Sequence, residues 1–182
     1  MRSRSTPRER EIEVLPLRDG VARVRAIRPD DTHLLEALFA GLSEESRRLR
    51  FLTFKPRLSG AELAYFTDVD LATHEALIAL DGVTGEPLGV IRYVRTAPGA
   101  TTAELAVAVP DAHARRGVAS GLVARLAERA RRAGVRRFTG YVLGENLAAR
   151  RLLDGLGATA TRGASPELVE FELPLDEPAR AA

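Results

Sequence analysis

Two periods of hydrophobicity alternate along this chain, and the switches between them outline its elements. Residues 21–28 read as a strand, ended by a turn and cap at Pro29-Asp30-Asp31. Leu34, Leu35, Leu38 and Phe39 then fall on one helical stripe, and Ser43 opens a second helical stretch with Leu49, Phe51 and Leu52 as its apolar positions. Ser59-Gly60-Ala61-Glu62 fits a capping box, in which the Ser and Glu side chains satisfy free backbone N–H groups reciprocally. A short helix through Leu63, Tyr65 and Phe66 is predicted after it.

The pattern then turns strand-like. Residues 75–80 and 87–95 flank the turn-rich Asp81-Gly82-Val83-Thr84-Gly85, which reads as a hairpin, and a third strand over 101–109 ends at Pro110. Three consecutive antiparallel strands are the economical reading. A long amphipathic helix over 117–133 stops at Gly134, a residue suited to the position just past a helix. The next strand, 136–143, closes a strand–helix–strand unit that should be parallel and right-handed. A second helix over 145–156 ends at Gly157, and residues 158–161 and 168–173 read as a closing hairpin. The sum is a mixed α/β sheet, antiparallel at its start and parallel at one junction, with helices on both faces.

Residues 1–19 lack sustained periodicity and are expected to form a flexible N-terminal arm or a short added strand. Residues 20–175 are read as a single domain, and 176–182 as a disordered tail. At 182 residues and 45% hydrophobic content the chain can bury a real core. It has no cysteine, which excludes disulfides, thiolate metal sites and a cysteine nucleophile. Neither a signal peptide nor an uninterrupted apolar run of about 18 residues occurs, so no membrane partner is expected and the cytoplasm is the default location. The net charge of +2, with Arg and Glu mixed along the helices and aromatics at 5%, argues against a nucleic-acid binder. His33, His74 and His113 lie far apart without ligand spacing, and no metal is expected. His33 reads as exposed and His113 as a loop residue, while His74 could line a cleft as a second base.

Candidate chemistry concentrates between residues 103 and 158. In Ala114-Arg115-Arg116-Gly117-Val118-Ala119-Ser120, Gly117 lets the backbone approach a ligand, and small side chains keep the approach clear. The free N–H groups of the following helix and its macrodipole favour an anion there, and Arg115 and Arg116 add charge-assisted donors. An ordinary capped helix with surface arginines is the plain alternative. On the preceding strand, Glu104, Ala106 and Ala108 alternate with Leu105, Val107 and Val109, so Glu104 is the one charge on a face of small residues. A carboxylate so placed could take a proton from an amine, or simply face solvent. After the next strand, Gly144-Glu145-Asn146 puts Asn146 where it can cap the last helix or reach a ligand.

This order of strand, A-x-x-G-x-A, helix, strand, Glu-Asn, helix and Leu-Gly resembles the core of the GNAT N-acetyltransferases, over residues 75–160. Ile27-Arg28-Pro29-Asp30-Asp31, Leu42-Ser43-Glu44-Glu45-Ser46, Arg50-Phe51 and His74-Glu75-Ala76-Leu77 extend the resemblance to the catalytic domain of bacterial protein lysine acetyltransferases. It implies a mostly antiparallel sheet of six to seven strands with a splayed parallel pair that holds acetyl-CoA. The backbones of Val107 and Val109 would pair with the pantetheine. Arg115, Arg116, Gly117, Val118, Ala119 and Ser120 would hold the pyrophosphate, and Asn146 would sit near the thioester. Glu104 would be the general base for direct attack by a primary amine, on a protein lysine or a small molecule. A non-catalytic acyl-CoA sensor is the alternative from another class. Ala114 stands where the family usually has Gln or Arg, and Leu152 and Leu153 where many relatives carry a Tyr acid. A monomer or a homodimer is expected, with the strand at 168–175 as the segment that could pair between subunits.

Overall fold

The computed structural model describes residues 11–163 and 165–175. Eight strands form one sheet: β1 Glu13–Leu17, β2 Gly20–Ala26, β3 His74–Asp81, β4 Pro87–Arg95, β5 Thr102–Ala108, β6 Arg137–Leu143, β7 Thr159–Arg162 and β8 Leu168–Pro174. Their spatial order is β1-β2-β3-β4-β5-β6-β8-β7. All neighbours are antiparallel except β5 and β6, which run parallel. Helices α1 (Thr32–Ala40), α2 (Glu44–Phe51) and α3 (Gly60–Thr67) precede β3, α4 (Val118–Arg132) joins β5 to β6, and α5 (Leu147–Gly155) follows β6.

Strand alternation divides the core between the two faces. Ile91, Tyr93, Ala103, Leu105 and Phe138 pack with Leu122, Leu126 and Ala130 of α4. Ala76, Val90 and Ala108 point the other way, under Leu35, Leu38 and Phe39 of α1 and Leu63 of α3. The Ser59–Glu62 capping box forms as read, with Ser59 accepting from the Glu62 N–H and Glu62 accepting from the Ser59 N–H.

The sheet is wider than the six to seven strands expected, and the ordered unit begins before residue 20. Glu13–Leu17 pairs with β2 as the edge strand β1. Besides this neighbouring strand, it is held by α4, over a hundred residues away in the chain. Leu15 occupies the space a side chain at Gly121 of α4 would need. Arg125 donates to the Val14 carbonyl at 2.7 Å, and Arg125 and Arg129 hold Glu13 at 3.2 and 3.1 Å. Residues 1–10 and the expected tail at 176–182 lie outside the described residues.

The strand at 168–175 is not available for pairing between subunits. β8 is hydrogen-bonded to β6 on one side and β7 on the other, so both its backbone edges are taken.

Two buried ionic groups were also invisible in the sequence pattern. Arg25 makes a bidentate pair with Asp31, at 2.6 and 2.8 Å, and Asp31 also accepts the Arg28 N–H at 2.8 Å. Asp31 therefore does more than cap a turn: it pins the entry to α1 onto β2. Glu75 is fully buried, accepting from the Tyr93 hydroxyl at 3.0 Å and lying 3.5 Å from Arg129. Burial and this carboxylate push the Tyr93 phenol up to about 12.

Candidate active site

The parallel β5–β6 ladder is short. It pairs Thr102 with Arg137, Ala103 with Phe138 and Glu104 with Thr139, and stops there, although β5 runs on to Ala108 and β6 to Leu143. The two strands part just past Glu104, and the backbone of 105–108 loses its β6 partner. A cleft between separating parallel strands is a common place for a ligand in α/β sheets. Val107 lies on the parted stretch, and Val109 follows directly after it.

The turn beyond β5 leads into the N-terminus of α4. Gly117 caps α4 with φ +94°, a conformation that L side chains rarely adopt, and a Cβ there would meet nothing within 4 Å. Arg115 also has a positive φ of 60°. The 15-residue α4 presents its first N–H groups here. Val118 is buried and contributes only backbone to this spot, Ala119 is half-buried, and the exposed Ser120 donates its hydroxyl to the Gly117 carbonyl at 3.1 Å. The two arginines differ. Arg115 is exposed, whereas Arg116 donates to Asp19 at 2.6 Å and contacts His113 Nδ1 at 3.0 Å. The Arg116 side chain is thus engaged in holding the turn against the β1–β2 loop.

Asp111 ties the same turn to α2. It accepts from the Ser43 N–H at 2.8 Å and the Ser46 hydroxyl at 2.7 Å. At the other end of the cleft Arg48 of α2 pairs with Glu145, just past β6. Helix α2 is therefore fixed to segments that follow both parting strands. Asn146 caps α5, its Oδ1 accepting the Ala149 N–H at 3.0 Å, which leaves its amide N–H groups for another partner.

Glu104 is exposed on the sheet face that α1, α2 and α3 partly cover. That face is less uniformly small than the β5 alternation implied. Strand register places Arg92 opposite Ala106 and Val94 opposite Glu104, with His74 opposite Val94 on the next strand. Arg92 is buried, donating to the Phe66 carbonyl at 3.1 Å and contacting His74 Nε2 at 3.0 Å, with its guanidinium 4.3 Å from the centre of the Phe66 ring. Burial and the Arg50 charge push Arg92 down to about 9. Burial likewise lowers Arg50 to about 10, against the upward pull of Glu104. His74 is lowered to about 4 by burial and by Arg92, so it is neutral near pH 7, and the exposed Tyr65 ring lies 5.1 Å from it. Its Nε2 is occupied by Arg92, which removes it from contention as a second base. His33 is exposed as read, and His113 braces Arg116.

Sequence reasoning missed Arg50, Arg92 and Tyr65. Arg92 carried a readable signal, a lone charge in the apolar run Val90-Ile91-Arg92-Tyr93-Val94. Arg50 and Tyr65 carried none, because only folding brings Arg50 within reach of the Glu104 charge and Tyr65 against His74. Leu153, where the Tyr acid of many relatives was sought, is buried in the core. Among the described residues no group of three or more His, Cys, Asp or Glu could hold a metal, and no helix is long and apolar enough to cross a membrane.

The profile of the acetyltransferase (GNAT) family matches residues 39–158, which take in the parting strands, the glycine turn and the cap of α5. The chain belongs to the GNAT family. Acetyltransferase Pat of Mycolicibacterium smegmatis is 36% identical over 120 residues, covering 66% of this chain and 36% of that protein. The crystal structure of the GNAT domain of S. lividans PAT superposes with a TM-score of 0.83 at 37% identity, covering 90% of this chain and 96% of that one. The cAMP-binding acyltransferase from Mycobacterium smegmatis follows with a TM-score of 0.66 at 27% identity, over 94% of this chain and 50% of its own. This GNAT chain thus spans about a third to a half of the length of the two mycobacterial relatives, and nearly all of the S. lividans domain. The eight-stranded mixed sheet with its single parallel pair is the GNAT fold.

Proposed function

We propose that this GNAT chain transfers an acetyl group from acetyl-CoA to a primary amine, on a protein lysine, with Glu104 as general base. The observation that carries the reading is the position of Glu104 at the rung where the β5–β6 ladder ends. The base then stands at the apex of the cleft, one residue before the backbone that parts from β6.

The residues present fit the cosubstrate. Gly117 opens onto free space, α4 offers its N-terminal donors, and Arg115 is exposed beside them. In this reading Gly117, Val118, Ala119 and Ser120 bind the pyrophosphate through backbone N–H groups, and Arg115 adds its guanidinium. Arg116 shapes the turn and contributes backbone. Val107 and Val109 pair through their backbones with the pantetheine, and Asn146 offers its amide N–H groups while capping α5. The bound cosubstrate supplies an activated acyl group as a thioester. Glu104 draws a proton from the acceptor ammonium, directly or through a water, and frees the amine to attack the thioester carbonyl. The C–N bond forms, the C–S bond breaks, and CoA leaves as a thiolate that takes its proton from water. Similarity to Acetyltransferase Pat and to the S. lividans domain supports a protein lysine as acceptor.

The test is thiol release from acetyl-CoA in the presence of lysine peptides. The chain holds no cysteine, so every thiol detected comes from CoA. Release that depends on an amine and is lost in Glu104→Gln supports the assignment. Equal release by Glu104→Gln and wild type across pH 6–9 overturns it.

A further inference from the structure

Two guanidinium groups line one small cavity on the sheet face that carries Glu104. The cavity has a volume of about 30 Å³, and Arg50 and Arg92 are the charged residues among its otherwise apolar lining, which includes Phe51, Phe66, Val90 and Ala108. That is room for about two waters, the size of a carboxylate group.

Neither cation is neutralised by a carboxylate in contact with it. Arg92 is held by the Phe66 ring, the Phe66 carbonyl and the neutral His74. Arg50 lies 5.0 Å from the centre of the Phe51 ring, and the carboxylate it senses is Glu104, through space. The other charges nearby are already paired: Lys55 with Glu62, and Arg48 with Glu45 and Glu145. Arg92 is buried and Arg50 half-buried, and two like charges so placed repel each other and cost free energy unless an anion joins them. Burial lowers both guanidinium groups, and the Arg50 charge lowers Arg92 further. A fold that keeps both groups on the face carrying its base has a use for a negative charge there.

We propose that Arg50 and Arg92 form a carboxylate subsite next to Glu104, and that the acceptor is an amine bearing a carboxylate close by. Glu104 and Arg50 sense each other's charge through space, a minus and a plus that complement a zwitterion. The ammonium goes to Glu104, and the carboxylate enters the cavity between the guanidinium groups. This rests on the assignment of Glu104 as the base. An acidic side chain beside the target lysine and a small amino acid present the same chemistry.

Two matched pairs of acceptors separate these sources: β-alanine against β-alaninamide, and a lysine peptide with Glu beside the lysine against one with Gln. The carboxylate member of one pair should show a kcat/KM ~10- to 100-fold higher, mainly through KM, the range for a hydrogen bond to a charged group. Arg50→Gln should abolish that advantage and Arg50→Lys should restore part of it. Equal kcat/KM within both pairs overturns the subsite. Should no amine be turned over, the Glu104 assignment fails, and a second measurement still decides the subsite. Sodium acetate titrated against sodium chloride at constant ionic strength should shift the Arg50 and Arg92 Nε–Hε resonances saturably in the NMR spectrum. No acetate-specific shift overturns the proposal.

Discussion

Glu104 stands directly across from Thr139, and that pair is the last rung of the one parallel ladder in the sheet. A carboxylate is thereby fixed at the point where two strands begin to separate, on the sheet face carrying His74 and Arg92. Glu104→Gln should keep the shape and, on the proposed role, remove the base. It should lower kcat ~100- to 10,000-fold while leaving CoA affinity within about threefold. Steady-state rates and calorimetry together check both halves.

The glycine turn should respond to backbone geometry. Gly117→Val forces a β-branched residue to φ +94°, at a cost of roughly 1–2 kcal/mol, and places methyl groups in space that is now open. CoA binding should weaken at least ~10-fold, with thermal unfolding shifted by only a few degrees. Wild-type affinity would remove the phosphate assignment.

Arg115 and Arg116 are neighbours with different tasks. Arg115→Ala should weaken CoA binding and reduce its dependence on salt, since an exposed cation is removed from the turn. Arg116→Ala breaks the contacts to Asp19 and His113, so it should increase hydrogen exchange over the β1–β2 loop and 113–117. Calorimetry at two salt concentrations separates the pair.

His74 makes stability depend on pH. Its folded pKa is about 4 against 6.5 when exposed. Between those values the unfolded chain takes up a proton that the folded chain does not, so stability falls as pH drops through this window. The contribution at stake is up to about 3 kcal/mol. Urea unfolding at pH 7 and pH 4.5 should show a smaller difference for His74→Gln than for wild type.

The Arg25–Asp31 pair should be costly to break from one side. Asp31→Ala leaves a buried guanidinium without its carboxylate and should destabilise by roughly 3–5 kcal/mol. Replacing both residues by apolar ones should cost less. A double-mutant cycle in urea measures the difference.

Local chemistry wrote much of this fold into the chain. The capping box at Ser59, the hairpin turn around Gly82 and the stops at Gly134 and Gly157 each depend on a few adjacent residues, and each stands where it was read. The glycine turn before α4 was legible for the same reason, because a positive φ and a helix start leave a short signature.

What the sequence determined by itself was the order of elements, the face on which Glu104 lies and the glycine turn that opens α4. The tertiary structure decided the rest. It made Glu13–Leu17 an edge strand, closed both edges of β8, set Arg116 to bracing and brought Arg50 and Arg92 together on the face of Glu104. Periodicity and capping act over a few residues, so they can be read along the chain. Ion pairs, strand edges and shared cavities join residues from distant segments, and only packing reveals which charges are left without a partner.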